Sequence, residues 1–458
     1  MKFKIKNEML YGFVSNIVGN ALMFLTTIYL TRTYSTEVYG EFRWLSTFVA
    51  FFVLIFMLGR DNYIIYYSQV NNGRDDKIKE QFYHSVIFFC FVTIVLCFFS
   101  ESIISFAFKN EVSIKSYYLS VVMLPLWGAF NMTLAMHKIS ENIKFMFLLS
   151  NLIQRVARLA AFLILSIICF SSESLYVSMI TSQVVILVYS LCKCKFGLSF
   201  KGYKLSTFFD GLKYSVQLGL NAIILIFLSK LDVVMIGHYL GSSDVAIYDT
   251  SALLAFVILI PFTTLVKINE VEFNINRINW AKYNGRLKMA IVLSFGIFLL
   301  FAISGKSILI LFGREYMTGF SALMILSIGY VIQCFLGNPI EMLNMNGFAR
   351  VSTLVLIFSL FVNYSLNVFL IPSYGLDGAA VATVISIAVY KIIALAFLKK
   401  ELKISNFHRP SLGSVLIMIS FGVFFTFETD FSIVLNLVYG FLITALFYLV
   451  SYFYQRHC

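Results

Sequence analysis

The chain has 458 residues, of which 60% are hydrophobic and 13% are charged, and its formal net charge is +12. Soluble domains carry about 25% charged residues, so this composition excludes a soluble globular protein and favours an integral membrane protein. The positive charge does not indicate a nucleic-acid partner, because Lys and Arg form short clusters between apolar runs rather than one basic domain.

Apolar runs long enough to cross a bilayer as helices recur from one end of the sequence to the other. The predicted spans are 9–31, 44–67, 84–107, 116–137, 146–170, 174–192, 214–239, 245–266, 289–312, 317–342, 351–371, 375–398, 412–427 and 431–453. The fold class is therefore all-α, a polytopic membrane protein with about 14 transmembrane helices. We expect an N-lobe over 1–200 with helices 1–6, a C-lobe over 201–400 with helices 7–12, and helices 13–14 over 401–458.

The distribution of basic residues predicts the orientation. With a cytoplasmic N-terminus, 24 of the 35 Lys and Arg residues fall on the inner side and six on the outer side. This bias in short loops follows the positive-inside rule and predicts that both termini are cytoplasmic. No predicted outer loop exceeds about fifteen residues, too short for a folded domain, which argues against a membrane glycan polymerase or ligase.

The two predicted lobes show a weak internal repeat. Polar and small residues open the runs at 11–20 and 214–221 in the same order, and the following turns read STEVYGEF (Ser35–Phe42) and SSDVAIYD (Ser242–Asp249). Six spans per repeat predict parallel repeats about an axis along the membrane normal, with a central cavity between two lobes. Chance similarity between helix starts is the alternative, and the sequence alone leaves it open.

One segment is far more specific: NVFLIPSYGLDGAAVATVIS, Asn367–Ser386. It resembles a pattern of the polysaccharide transporter branch of the multidrug/oligosaccharidyl-lipid/polysaccharide exporter superfamily. Asp232, followed by Ile236-Gly237 and Val245–Tyr248, is similar to that family's seventh-span pattern, with Ala246 where Gly is more usual. The resemblance implies two six-helix lobes in a V shape.

The resemblance also implies a function and partners. The commonest activity in the branch is flipping an undecaprenyl-pyrophosphate-linked oligosaccharide, such as an O-antigen or capsular repeat unit, from the cytoplasmic to the outer leaflet of the bacterial inner membrane. Expected partners are that lipid-linked glycan, membrane lipids and glycan-assembly proteins, with protons or sodium as coupling ion. The sequence has no nucleophile–base pair, nucleotide-binding loop or metal motif, so we expect no enzyme activity, cofactor or metal site.

Much of the signature also has a structural interpretation. Pro372 and Gly375 suit a tight outer turn, and Gly378, Ala379 and Ala382 give the twelfth helix a small face for close packing. The signature therefore identifies the family rather than the binding site.

Five cations fall inside predicted spans: Arg60, Arg155, Arg158, Lys230 and Lys391. A charge near the bilayer centre costs at least about 2.5 kcal/mol, so such residues usually face a wet cavity or a partner. Arg155 and Arg158 share one helix face, and arginine binds phosphate bidentately, which favours substrate binding. The alternative for Arg155 is that its side chain snorkels to the inner interface. For Lys391, snorkelling is the preferred interpretation.

Lys230 and Asp232 lie two residues apart and point away from each other on a helix, so each needs its own partner. Lys230 lies roughly 13 Å from the outer end of its span, too deep for easy snorkelling. We therefore predict that Lys230 binds substrate and that Asp232 serves a gating, ion-coupling or structural contact.

The remaining candidate residues are more ambiguous. Arg60 is a candidate substrate ligand, and its neighbour Asp61 is a candidate gating residue. The alternative is that this site forms an ion pair with another helix or contacts lipid headgroups. Glu341, after Pro339, is a gate, a proton site or an interfacial residue. Asn16 and Asn20 either bind sugar hydroxyls or hydrogen-bond between helices, with the second favoured. Pro125, Pro261 and Pro339 are expected to kink their helices.

The sequence leaves three transport functions open. The preferred one is the lipid-linked oligosaccharide flippase, driven by the membrane potential or by inward protons or sodium. A cation-coupled multidrug exporter of the same superfamily is expected to prefer an acidic, aromatic pocket, and the intramembrane cations argue against it. The extra pair of spans leaves a lipid II flippase open.

Overall fold

A computed structural model of the chain describes residues 2–57, 59–70, 75–109, 111–140, 142–168, 171–194, 212–267 and 278–402. Over these ranges the regular elements are all helical, and ten helices are long and apolar enough to cross a membrane. The predicted fold class is confirmed: this is an all-α, multi-pass membrane protein. Predicted spans thirteen and fourteen lie outside the described residues.

The described residues divide into two compact units. Those up to Phe227, with Gly241–Ser243, form the first, and Leu228–Leu240 with the described residues from Asp244 onward form the second. The helices of the N-terminal part are α1 Lys2–Thr33, α2 Thr36–Met57, α3 Arg60–Val70, α4 Asp75–Phe98, α5 Ser100–Phe108, α6 Ile114–Val121, α7 Met123–Ile139, α8 Ile143–Phe147, α9 Gln154–Ile168 and α10 Glu173–Cys192. A π-helical turn, Leu148–Ile153, joins α8 to α9.

The C-terminal part continues with seven more helices. They are α11 Leu212–Tyr239, α12 Ser242–Phe256, α13 Leu259–Lys267, α14 Trp280–Ile310, α15 Phe320–Phe335, α16 Pro339–Met345 and α17 Ala349–Leu402. A 3₁₀ turn, Arg314–Gly319, precedes α15. The apolar part of α17 is 53 residues long. Since about twenty residues cross a bilayer, α17 supplies two crossings.

A glycine divides α17 into those two crossings. Gly375 has φ 57° and ψ −133°, a non-helical conformation inside the α17 assignment, and Pro372 precedes it by three residues. This φ lies in the left-handed region that residues with a Cβ avoid, so glycine is needed here. The predicted turn at Pro372 and Gly375 is confirmed.

Prolines account for three other interruptions. Pro125 follows the break between α6 and α7 at Val122, and Pro261 follows the break between α12 and α13. Pro339 is in the first turn of α16, immediately after α15 ends. Proline lacks an N–H and its ring clashes with the carbonyl four residues earlier, so the helix must bend or restart. The three predicted kinks are therefore present.

Candidate functional site

In the first unit, Arg155 of α9 lies against α1, and Arg158 lies one turn further along α9. Arg155 Nη1 donates to Asn20 Oδ1 at 2.6 Å, and both side chains are half-buried. Arg158, also half-buried, has Arg43 on α2 and Arg155 as its charged neighbours. The charges of Arg43 and Arg155 act on Arg158, and we call these three residues the arginine cluster. Like charges near one another repel, and an anionic group placed among them is attracted.

The π-helical turn and a glycine position this cluster. A Cβ on Gly19 would lie 2.1 Å from the backbone oxygen of Asn151 and 3.2 Å from Arg155 Cδ. Glycine therefore lets α1 approach the π-helical turn at backbone contact distance. A π-helical turn re-aims the residues that follow it and is frequent at functional sites. Asn20, one residue after Gly19, then lies within reach of Arg155.

Two neighbouring polar residues differ in their placement. Asn16, one turn before Asn20 on α1, is half-buried. Gln154 turns away from α1, because its Nε2 donates to Gln183 Oε1 on α10 at 3.3 Å. The hydrogen bond from Arg155 supports an inter-helix role for Asn20, and sugar binding by Asn16 and Asn20 stays a prediction.

Arg60 and Asp61 begin α3, after the interruption at the end of α2. Arg60 is 2% exposed, and its guanidinium carbon lies 5.5 Å from the ring centre of Phe88 on α4. Asp61 is half-buried in the first turn of the same helix. The cation–π contact gives Arg60 a structural environment. Substrate binding by Arg60 and gating by Asp61 stay predictions.

In the second unit, α12 supplies partners to both charges of α11. Lys230 Nζ lies 2.9 Å from Asp249 Oδ1. Asp232 is 3% exposed; it accepts from the Tyr248 hydroxyl at 2.5 Å and from its neighbour Val233 N at 2.9 Å. The two charges of α11 thus have separate partners, as predicted from their spacing.

A third helix completes the environment of Asp232. Thr383 Oγ1, on the C-terminal half of α17, donates to Asp232 Oδ2 at 3.1 Å. Tyr248 and Thr383 thus direct hydroxyl donors at one carboxylate oxygen. Hydrogen bonds to a charged acceptor are stronger than neutral ones and offset part of the desolvation cost of burial.

The interpretation of Lys391 as a snorkelling anchor is wrong. Its side chain is 2% exposed, and Nζ donates to the backbone oxygens of Gln333 at 3.1 Å and Gly337 at 2.6 Å. It also lies 5.2 Å from the ring centre of Phe262. Gln333 lies in the last turn of α15, where helical acceptors lack intrahelical donors, and Gly337 lies in the break between α15 and α16. Lys391 therefore stabilises the break between α15 and α16.

Glu341 lies in the first turn of α16, two residues after Pro339, and is half-buried. It is an electrostatic neighbour of Lys391. This placement at a helix break near a buried cation is compatible with a structural role, and gating or proton transfer by Glu341 stays a prediction.

The small residues of the family signature pack closely. A Cβ on Gly378 would lie 2.2 Å from the backbone oxygen of Leu370, and Ala379 and Ala382 are 0% exposed. A Cβ on Gly329 of α15 would lie 2.2 Å from Val384 Cγ2. Small residues allow helices in membranes to approach closely, and the predicted packing face is present.

Three features of these sites were not predicted from the sequence. They are Asp249 as partner of Lys230, the π-helical turn before Arg155, and Arg43 as a neighbour of Arg158. Asp249 is the last residue of the repeated turn motif SSDVAIYD and directly follows Tyr248, so this motif could have indicated Asp249 as a candidate partner.

A family model described as "Polysaccharide biosynthesis protein" matches residues 5–269, more than half of the chain. A probable low-salt glycan biosynthesis flippase, Agl15 of Haloferax volcanii, is 27% identical over 296 residues, which are 61% of this chain and 60% of that protein. The chain thus matches less than two thirds of the length of this relative.

Two solved structures have a similar fold. The lipid II flippase MurJ in an inward closed conformation has a TM-score of 0.72 at 14% identity, covering 98% of this chain and 99% of that one. An outward-facing multidrug resistance MATE family transporter of the MOP superfamily has a TM-score of 0.60 at 14% identity, covering 87% and 96%. These likenesses confirm the fold. Because the family model covers more than half of the chain, the chain belongs to the polysaccharide biosynthesis protein family.

Proposed function

We propose that this protein is a flippase that moves a lipid-linked oligosaccharide across the membrane. The observation that carries the proposal is the arginine cluster, Arg43, Arg155 and Arg158, which lies among membrane-spanning helices of the first unit. Guanidinium groups bind phosphate oxygens bidentately, so the cluster suits the charged linkage between a polyprenyl lipid and its glycan. The description of Agl15 as a probable glycan biosynthesis flippase agrees with this class of cargo.

The finer assignment follows the family resemblance. We propose an undecaprenyl-pyrophosphate-linked repeat unit, of O-antigen or capsule type, carried from the cytoplasmic to the outer leaflet of a bacterial inner membrane. The protein's cations then replace part of the water lost by the pyrophosphate, while the lipid tail stays among membrane lipids. Arg60 and Lys230 are further candidate ligands of the anionic group, and Asn16 and Asn20 of the sugar.

The arginine cluster is tested by Arg155→Ala and Arg158→Ala in proteoliposomes containing a fluorescent undecaprenyl-pyrophosphate oligosaccharide. Each variant is expected to lower the translocation rate at least tenfold, because a charge-assisted contact to phosphate is lost. Arg350→Ala, at an exposed position at the start of α17, is the matched control and is expected to keep the native rate. Native rates in both cluster variants contradict the proposal.

The same assay separates the competing functions. Lipid II in place of the oligosaccharide lipid tests the lipid II flippase, and efflux of a cationic dye tests the multidrug exporter. An exporter of cationic drugs is disfavoured by a cluster of three arginines, since like charges repel. Faster movement of lipid II or of the dye than of the oligosaccharide lipid assigns the protein to the corresponding class.

We propose Asp232 as the first candidate for ion coupling. The formal charges of Lys230, Asp232 and Asp249 sum to −1: Lys230 pairs with Asp249, and Asp232 accepts hydrogen bonds from neutral donors such as the Tyr248 hydroxyl. One proton or one sodium ion neutralises that sum, and a buried uncompensated charge is costly. Glu341 is the second candidate. The alternative driving force is the membrane potential, worth about 2.3 kcal/mol per charge and 100 mV.

Asp232→Asn distinguishes these mechanisms. The amide oxygen still accepts from Tyr248 and Thr383, while the charge that binds a cation is gone. Translocation by the variant is expected to lose its stimulation by an inward proton or sodium gradient. If an ion gradient stimulates translocation by the variant as much as by the native protein, Asp232 is excluded as the carrier. If a potassium diffusion potential alone stimulates translocation by both proteins, the membrane potential is favoured as the driving force.

A further inference from the structure

The Lys230–Asp249 pair is asymmetric in its exposure. The atoms Lys230 Nζ and Asp249 Oδ1 are 2.9 Å apart, yet the lysine side chain is 37% exposed and the aspartate side chain only 2%. A partly exposed cation is thus held by a buried anion on the next helix. A ligand approaching from the accessible side meets the lysine and not the carboxylate.

The other carboxylate nearby is occupied by hydroxyl donors. Asp232 Oδ2 accepts from Tyr248 at 2.5 Å and from Thr383 at 3.1 Å, and Oδ1 accepts from Val233 N. Tyr248 and Asp249 are consecutive on α12, so one short segment binds Asp232 with a hydroxyl and Lys230 with a carboxylate. These contacts place the Lys230 ammonium beside Asp249 and the Asp232 carboxylate beside hydroxyl donors.

We infer that Asp249 is an internal counter-ion that competes with a phosphate or pyrophosphate group for Lys230. An ammonium group on a flexible four-carbon chain is a point charge with three donors, and it changes partners by side-chain rotation alone. Phosphate oxygens are strong acceptors for it. The exchange requires no proton transfer and no broken covalent bond.

The competition has a consequence for the transport cycle. In the empty protein Lys230 pairs with the buried Asp249 carboxylate, and removing one partner of a buried ion pair is costly. An arriving phosphate must draw Lys230 away from Asp249, so the anion binds more weakly than it would to a free lysine. Transport requires sites that bind cargo and also release it. By weakening the binding of the anion, Asp249 thus promotes its release. This role rests on the proposed function.

The inference is tested by titrating the purified full-length protein with inorganic pyrophosphate in a calorimeter. Asp249→Asn is expected to lower the Kd about tenfold, because the competing charge is removed. Lys230→Met is expected to weaken binding, and Lys230→Met combined with Asp249→Asn is expected to match Lys230→Met alone. Lys306→Met, at an exposed lysine of the same unit, is the matched control with native affinity.

A charge swap separates this role from a purely structural ion pair. Lys230→Asp combined with Asp249→Lys keeps one cation opposite one anion, so it is expected to unfold at a temperature near that of the native protein. Pyrophosphate affinity is nevertheless expected to fall to that of Lys230→Met, since the cation now occupies the buried position. Native affinity in the swapped protein, or unchanged affinity in Asp249→Asn, overturns the inference.

The outcome is distinguishable from failure of the proposed function. If native protein moves the oligosaccharide lipid but Asp249→Asn binds pyrophosphate no more tightly, the inference alone is wrong. If native protein binds pyrophosphate with the predicted pattern but moves no lipid-linked glycan, the exchange stands and the flippase proposal is wrong. Absence of pyrophosphate binding by the native protein overturns the inference.

Discussion

At the scale of single residues, Lys391 shows how a buried cation stabilises an interrupted membrane helix. Two backbone oxygens at the end of α15, those of Gln333 and Gly337, accept from its ammonium group. In a bilayer no water satisfies such carbonyls, so a side chain must do so. The deep position of Lys391 thus has a structural cause and requires no cargo.

Lys391→Met tests this role. Methionine keeps an apolar chain of similar length but has no donor, so two buried acceptors lose a partner at a cost of about 1–3 kcal/mol each. The melting temperature in detergent is expected to fall by several degrees. Lys400→Met, at an exposed position on the same helix, is expected to leave it unchanged. Equal melting temperatures for the two variants contradict the capping role.

At the scale of elements, the contact between α1 and the π-helical turn determines where the arginine cluster lies. The Asn151 backbone oxygen occupies the space that a Cβ of Gly19 would need, at 2.1 Å. Real Cβ atoms do not approach backbone oxygens so closely, so a larger residue must push the two elements apart. Asn20 and Arg155, which bond across this contact at 2.6 Å, would separate with them.

Gly19→Ala is therefore expected to lower both the melting temperature and the translocation rate, although alanine favours helix formation. Gly285→Ala in α14 is the matched control, because nothing lies within 4 Å of its Cβ position. Alanine is better than glycine in a helix interior by about 1 kcal/mol, so the control is expected to be neutral or stabilising. A Gly19→Ala protein as stable and active as the control contradicts the close contact.

At the scale of the whole molecule, the basic residues predict which end of each crossing faces the cytoplasm. Lys115 and Lys138 lie near opposite ends of the span 114–139, formed by α6 and α7, and both are exposed. The positive-inside bias places Lys138 in the cytoplasm and Lys115 outside.

Single cysteines at these positions test the orientation. In a variant without the seven native cysteines, Lys115→Cys is expected to react with a membrane-impermeant maleimide in intact cells. Lys138→Cys is expected to react only after the membrane is permeabilised. The opposite labelling pattern contradicts the predicted topology, including the cytoplasmic placement of both termini.

The sequence by itself determined the all-helical membrane fold, because long apolar runs in a bilayer satisfy their backbone hydrogen bonds as helices. It also determined the family, the kinks at Pro125, Pro261 and Pro339, and the separate partners of Lys230 and Asp232, which follow from local geometry. Only the tertiary structure decided who those partners are. Asp249 and Thr383 lie 19 and 151 residues from the residues that they contact, and the pattern within one helix does not specify which helix packs against it. The burial of Lys391 was missed for the same reason: the carbonyls that accept its hydrogen bonds lie at and just after the end of α15, 58 and 54 residues earlier in the chain.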